Sequence, residues 1–172
     1  MSVAKFRCEH AFDAPVERVL AMYLDAAYIP AKYERMGLRE VTRVHHHSDA
    51  QQHEVTYRFL EQASIAIPAM AKKIMGDSDW FPVEQTERWH RESRTGEIVV
   101  EIASFKKVVS IQSQMQLVST AQGCVNQMIW QVTCSVPLIG GSLAKFLADD
   151  VQRKTQRDGE VARELLATQY TL

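Results

Sequence analysis

Apolar and polar residues change their period twice along this chain. Residues 3 to 12 alternate, setting Ala4, Phe6, Cys8, His10 and Phe12 on one face and Val3, Lys5, Arg7, Glu9 and Ala11 on the other, the pattern of a half-buried strand. Asp13 then stands where a helix N-cap belongs, Pro15 suits a first turn and Glu17 favours the positive end of the helix dipole. Val16, Val19, Leu20 and Tyr23 make the buried stripe of that helix. Asp25 is placed to cap a second short helix that runs to Met36, with Gly37 as its C-terminal stop.

From Leu38 the period becomes two, which predicts strands over 38–47, 52–60, 81–91, 97–104, 107–120 and 124–136. Ser48-Asp49, Arg94-Thr95-Gly96 and Ala121-Gln122-Gly123 are short and turn-like, so neighbouring strands should pair as antiparallel hairpins. Ile65 to Gly76, with Pro68 and closely spaced Ala, Met and Lys, reads as a loop with one short helix. After Gly140-Gly141 the helical period returns through Leu143, Phe146, Leu147, Val151, Val161, Leu165 and Leu166, with Ser142 as a candidate cap. Continued to about Gln169, at ~1.5 Å per residue, this helix is roughly 40 Å long. Gly159 is its weak point, because an interior glycine costs ~1 kcal/mol relative to alanine, and a bend near Asp158-Gly159 is an alternative.

The element order predicts an α+β fold. Two short helices follow the first strand, and a seven-stranded antiparallel sheet curves around one long C-terminal helix. A gap between a curved sheet and a single helix is a natural cavity.

Composition narrows what such a fold does. The chain has 172 residues, is 46% hydrophobic and 24% charged, and has few Gly and Pro, so one domain over 1–172 with an ordinary core is expected. Lys+Arg 20 against Asp+Glu 21 leaves a net charge of -1 without blocks of like sign, which argues against nucleic acid as a partner. There is no signal-peptide core and no run of ~20 apolar residues, so the expected compartment is the cytoplasm, with transient membrane contact left open. Cys8, Cys124 and Cys134 are odd in number and widely spaced, the mark of reduced thiols and not of a disulfide framework or zinc knuckle. No motif implies a cofactor, and none sets an oligomeric state.

The inner faces can be named from the alternation. On the strand 81–91, Phe81, Val83, Gln85, Glu87 and Trp89 share a face, which turns Gln85 and Glu87 inward. An unpaired buried carboxylate is costly, so Glu87 needs a partner such as Arg58, a bound ligand, or a bulge that returns it to solvent. Ser113 and Met115 lie on the inner face of one neighbouring strand, and Asn126, Met128 and Trp130 on that of another. With Tyr57, Phe59 and, from the long helix, Phe146, these are the candidate ligand-binding residues. Glu87 and His10 are the candidate proton-transfer groups if the cavity holds chemistry.

Cys8 lies beside His10 on the first strand, but no orienting group or oxyanion element accompanies the pair, so a thiol and a core histidine are the simpler reading. His45-His46-His47 invites a metal assignment. Adjacent strand residues face opposite ways, however, so only His45 and His47 could share an ion, with Asp49 or His53 to complete it. A solvated strand end is the simpler reading, and no metal is assigned.

His10-Ala-Phe12 before Ala14-Pro15-Val-Glu17-Arg-Val19, then Asp25-Ala-Ala-Tyr28, Glu87-Arg-Trp89, and Val136-Pro-Leu-Ile-Gly-Gly141 leading into the last helix form an ordered set across the chain. That set resembles the START-related superfamily of helix-grip proteins, which includes the birch-pollen-allergen type and polyketide cyclase-like domains. More narrowly, it resembles a bacterial branch known as domain of unknown function 2505. The resemblance implies a hydrophobic small molecule, such as a lipid, sterol, polyketide or quinone, held between sheet and helix. It implies no catalytic set, since this scaffold hosts carriers, cyclases, hydrolases and regulators. A carrier is the leading expectation. A cyclase- or hydrolase-type enzyme and a regulatory domain with a vestigial cavity are the alternatives.

Overall fold

The structure, a computed structural model, describes residues 1–170; Thr171 and Leu172, the end of the expected domain, lie outside the described residues. Seven strands form one sheet: β1 (Ser2–Phe12), β2 (Arg39–Ser48), β3 (Gln52–Glu61), β4 (Phe81–His90), β5 (Thr95–Ile102), β6 (Val109–Ser119) and β7 (Cys124–Cys134). Their order is β1-β7-β6-β5-β4-β3-β2, and every neighbouring pair is antiparallel. Strands β2 to β7 are therefore a meander of hairpins. The two helices α1 (Val16–Leu24) and α2 (Tyr28–Arg35) carry the chain from one edge of the sheet, β1, to the other, β2. A short helix α3 (Ala69–Met75) fills the β3–β4 connection, and α4 (Gly140–Thr168) closes the fold by packing on β1 and β7 and against α2.

Helix starts differ from the sequence expectation. Pro15 is extended (φ -60, ψ 150) and is itself the N-cap of α1, so Asp13 stands too early to reach the first-turn amides. In α2 the N-cap is Ala27, with Asp25 only a 3.5 Å acceptor for its amide. Likewise α4 begins at Gly140 after Ile139, so Ser142 lies inside the helix and does not cap it. The stop of α2 is as expected: Gly37 has φ +76, its amide donates to the Glu34 carbonyl, and the Leu38 amide donates to that of Tyr33. These are the two bonds of a Schellman motif.

The long helix is unbroken for 29 residues, through Gly159. Glycine is there for close approach: a Cβ on it would lie 2.6 Å from Cδ2 and 2.8 Å from Nε2 of His10. The His10 ring of β1 therefore rests directly on the helix backbone, and its Nε2 bonds the Thr155 carbonyl at 2.9 Å. At the other end of the helix, Arg18 of α1 donates to the carbonyls of Leu166 (3.2 Å) and Tyr170 (2.8 Å), satisfying acceptors that a helix terminus leaves open.

Alternation holds on the strands under the long helix, whereas the edge strand β2 is exposed almost throughout. On β6 and β7, Ile111, Ser113, Met115, Leu117, Asn126, Met128, Trp130, Val132 and Cys134 are buried, while Gln112, Gln114, Gln116, Gln127 and Gln131 are exposed. The sheet is thus wet on one face and packed on the other.

Candidate functional site

Between the inner face of the sheet, α2 and the middle of α4 lies a cavity of about 80 Å³. At ~30 Å³ per water, that is room for two or three water molecules; drug-sized ligands occupy ~300–1,000 Å³. Aromatic packing accounts for the narrowness. Tyr33 lies 4.9 Å from Phe59, and Tyr23 stacks on Trp89 at 5.1 Å, so α1 and α2 press tyrosines into space that a sheet and one helix would leave open.

The wall is more polar than the alternation implied. On α2, Tyr28, Ile29, Lys32 and Tyr33 are the buried positions, which puts a lysine on the helix's inner stripe. Lys32 Nζ is 2.9 Å from Asp158 Oδ2 on α4, and lies 5.1 Å from the centre of the Tyr28 ring and 5.7 Å from that of Tyr33. Burial alone would pull its pKa down. The carboxylates of Asp158 and then Glu87 outweigh burial and hold it above its ordinary value, so Lys32 is an ammonium ion and not a free amine.

Glu87 is buried, as its strand face required, but Arg58 is not its partner. Arg58 lies opposite Glu84 in the β3–β4 register and bonds it at 2.7 Å on the outer face. Instead, Trp89 Nε1–H donates to Glu87 Oε1 at 3.0 Å, and Oε2 is left without a partner. Three further polar atoms of the cavity wall are buried and unpartnered: Tyr28 Oη, Asn126 Oδ1 and Trp130 Nε1. The Asn126 amide is oriented by its Nδ2, which points to Tyr23 Oη (3.4 Å) and Met115 Sδ (3.6 Å). Orphaned buried groups cost ~1–3 kcal/mol each, and four around one small cavity mark it as a place for a polar guest.

His10 also lines the cavity. Because the Thr155 carbonyl can only accept, His10 Nε2 carries the proton and Nδ1 does not. Burial lowers its pKa against the opposing pull of Asp158, so the ring is neutral at pH 7. Beside it, burial raises the pKa of the Cys8 thiol.

Of the other residues expected to touch a ligand, Phe59, Gln85, Met115 and Met128 also line this cavity. Tyr57, Phe81, Trp89, Ser113 and Phe146 are not among its lining residues. Tyr57 packs edge-on to Tyr33, Trp89 stacks on Tyr23, and Phe81 lies at the far end of β4, opposite Glu61. Phe146 sits about one and a half turns before the lining residues of α4, which begin at Val151.

Met36, Leu38, Glu61 and Lys154 line both this cavity and an outer groove that includes Trp80 and Arg153. They form the partition between the two. Lys154 bridges Glu61 (3.1 Å) and Asp150 (2.7 Å), joining β3 to α4 across it.

Two of the three consecutive histidines are tied to carboxylates, and His46 packs edge-on to His53. His45 Nε2 lies 3.0 Å from an oxygen of Glu54, which also binds Arg88, and His47 Nε2 lies 2.9 Å from Asp49 Oδ2. Among the described residues no three His, Cys, Asp or Glu side chains converge as a metal cluster, and no helix is long and apolar enough to cross a membrane.

A family model described as "Protein of unknown function (DUF2505)" matches residues 7–166. No curated protein matches the chain. Among solved structures, TTHA0849 from Thermus thermophilus is similar, with 16% identity and a TM-score of 0.60 over 96% of this chain and 99% of that one. Ara h 8.0201 is similar with 10% identity and a TM-score of 0.65, covering 97% of this chain and 99% of that one. At these identities the likeness is one of fold, that of the birch-pollen-allergen-like helix-grip proteins.

Proposed function

Because the chain belongs to the DUF2505 family, whose description carries no activity, we propose from its own geometry that it is a small-molecule-binding domain. In this reading it acts as one START-like unit over 1–172. It takes up a cytoplasmic amphiphile whose polar end sits among Lys32, Glu87, Asn126 and Trp130. The single observation that carries this is the set of four unpartnered polar atoms around the cavity. A structural core would fill such a space with apolar groups, because buried polar atoms without partners are destabilising.

The cavity volume changes the ligand first expected from the fold. About 80 Å³ does not hold a sterol or polyketide, and an engineered cavity needs ~150 Å³ to admit benzene. Only the ligand's polar end fits the space as it stands. An apolar remainder would displace Met36 and Leu38 and lie towards the outer groove.

Native mass spectrometry of protein purified from its own host, with extraction of the denatured sample, tests the reading. A stoichiometric bound molecule is expected, and uniform apo protein counts against it.

An enzyme is the second reading, favoured by one observation: His10 and Glu87 line the same cavity. In that case His10 Nδ1 is the available base. Cyclase- or hydrolase-type turnover that is abolished by His10→Gln while the fold is retained would establish it.

A further inference from the structure

The unpartnered atoms also specify what kind of polar group belongs among them. Resting on the binding role proposed above, we infer that the ligand's buried end is a neutral hydroxyl or diol, and neither a carboxylate nor an amine. Two of the four atoms, Glu87 Oε2 and Asn126 Oδ1, can only accept a hydrogen bond, whereas Trp130 Nε1–H can only donate; Tyr28 Oη does either. A carboxylate offers acceptors alone and would leave Glu87 and Asn126 orphaned. An ammonium offers donors alone and would leave Trp130 orphaned. A hydroxyl both donates and accepts, and a diol has enough of each for the whole set.

Charge points the same way for anions. Each lysine of the wall already has a carboxylate of its own, Asp158 for Lys32, and Glu61 with Asp150 for Lys154. Glu87 has no ion pair of its own and is bonded only by the Trp89 indole. A carboxylate ligand would sit beside it in a poorly solvated space, where like charges repel strongly.

Two-carbon probes of near-equal size separate the possibilities: ethane-1,2-diol, ethylammonium and acetate, titrated at matched ionic strength. The reporters are the indole N–H signals of ¹⁵N-labelled full-length protein. The chain has three tryptophans, each in a different place. Trp130 and Trp89 report on the cavity, and Trp80, in the outer groove, is the control for surface effects.

The expected result is a saturable shift of the Trp130 and Trp89 signals with the diol, with acetate and ethylammonium weaker by about tenfold or more, the scale set by leaving one buried hydrogen-bonding group unpaired. Glu87→Gln removes the unpaired carboxylate and should narrow the gap between diol and acetate. Acetate or ethylammonium equalling the diol would overturn the hydroxyl assignment while leaving a binding site in place. If no probe moves either signal, the cavity holds ordered water only and the assignment falls. A ligand recovered by native mass spectrometry would then still uphold the binding role, so the two failures are told apart. Should Glu87→Gln not fold, the wild-type series alone decides.

Discussion

Replacing Gly159 with alanine sets two effects of opposite sign against each other. Alanine is the better helix former by ~1 kcal/mol, so helix propensity alone predicts a more stable protein. The structure predicts the reverse. The new Cβ would lie 2.6, 2.8 and 3.0 Å from Cδ2, Nε2 and Cγ of His10, a buried ring that cannot swing away as a flexible chain end could. Overpacking of this kind costs ~1–3 kcal/mol, and displacing the ring also loses the His10–Thr155 hydrogen bond, worth ~1 kcal/mol. The net expectation is destabilisation by about 1–3 kcal/mol, a fall in Tm of roughly 5 °C for a domain of this size. Guanidinium unfolding of Gly159→Ala, His10→Ala and the double variant measures it. In the His10→Ala background the clash is gone, and Gly159→Ala should become neutral or stabilising, giving a coupling of about 1–3 kcal/mol. If Gly159→Ala stabilises both backgrounds by the same amount, the ring-on-helix contact does not explain the glycine.

Three further outcomes follow from the same geometry. Lys32→Met strips the buried partner from Asp158; breaking a fully buried pair costs ~3–5 kcal/mol, and with Asp158 about a quarter exposed the expected loss is nearer ~2–3 kcal/mol. Pairing Lys32→Met with Asp158→Leu should recover much of that loss, as chemical denaturation would show. Arg58→Ala breaks only an exposed pair with Glu84 and should change stability by less than ~0.5 kcal/mol, against a much larger loss if Arg58 reached Glu87. His10 has a lowered pKa in the folded chain, so the unfolded chain binds the proton more readily. The resulting stabilisation is complete above the unfolded value of ~6.5 and is lost as pH falls from there through the folded pKa. Denaturation midpoints between pH 7.5 and 5 should fall, and fall less in His10→Gln; His53, whose pKa burial also lowers, adds to the residual slope, and Glu61, whose carboxyl pKa burial raises, opposes it.

Period-two and helical patterns made the seven strands, the α2 stop at Gly37 and the long helix legible, because alternation across a half-wet sheet leaves a strong imprint. Helix starts were less legible, since capping depends on backbone angles such as the extended Pro15, which composition does not report. Glu87 was identified as the buried acid from its strand face alone. Its surroundings were not, because Lys32, whose ammonium feels the Glu87 carboxylate, and Asp158, which pairs with that lysine, come from two helices far apart in sequence. The signal for Lys32 was present in the α2 pattern, where it falls four residues after Tyr28 and beside Tyr33 on the buried stripe. Gly159 read as a breaker for a similar reason: its need for a missing side chain comes from β1, about 150 residues earlier.

The most direct test of a ligand-holding cavity is a crystal structure of the protein from its own host, at a resolution that separates ordered water from bonded atoms. Continuous density is expected, linking positions within hydrogen-bond reach of Glu87 Oε2, Asn126 Oδ1 and Trp130 Nε1, with Met36 and Leu38 displaced towards the groove. Isolated water peaks at each position, with Met36 and Leu38 unmoved, would contradict it.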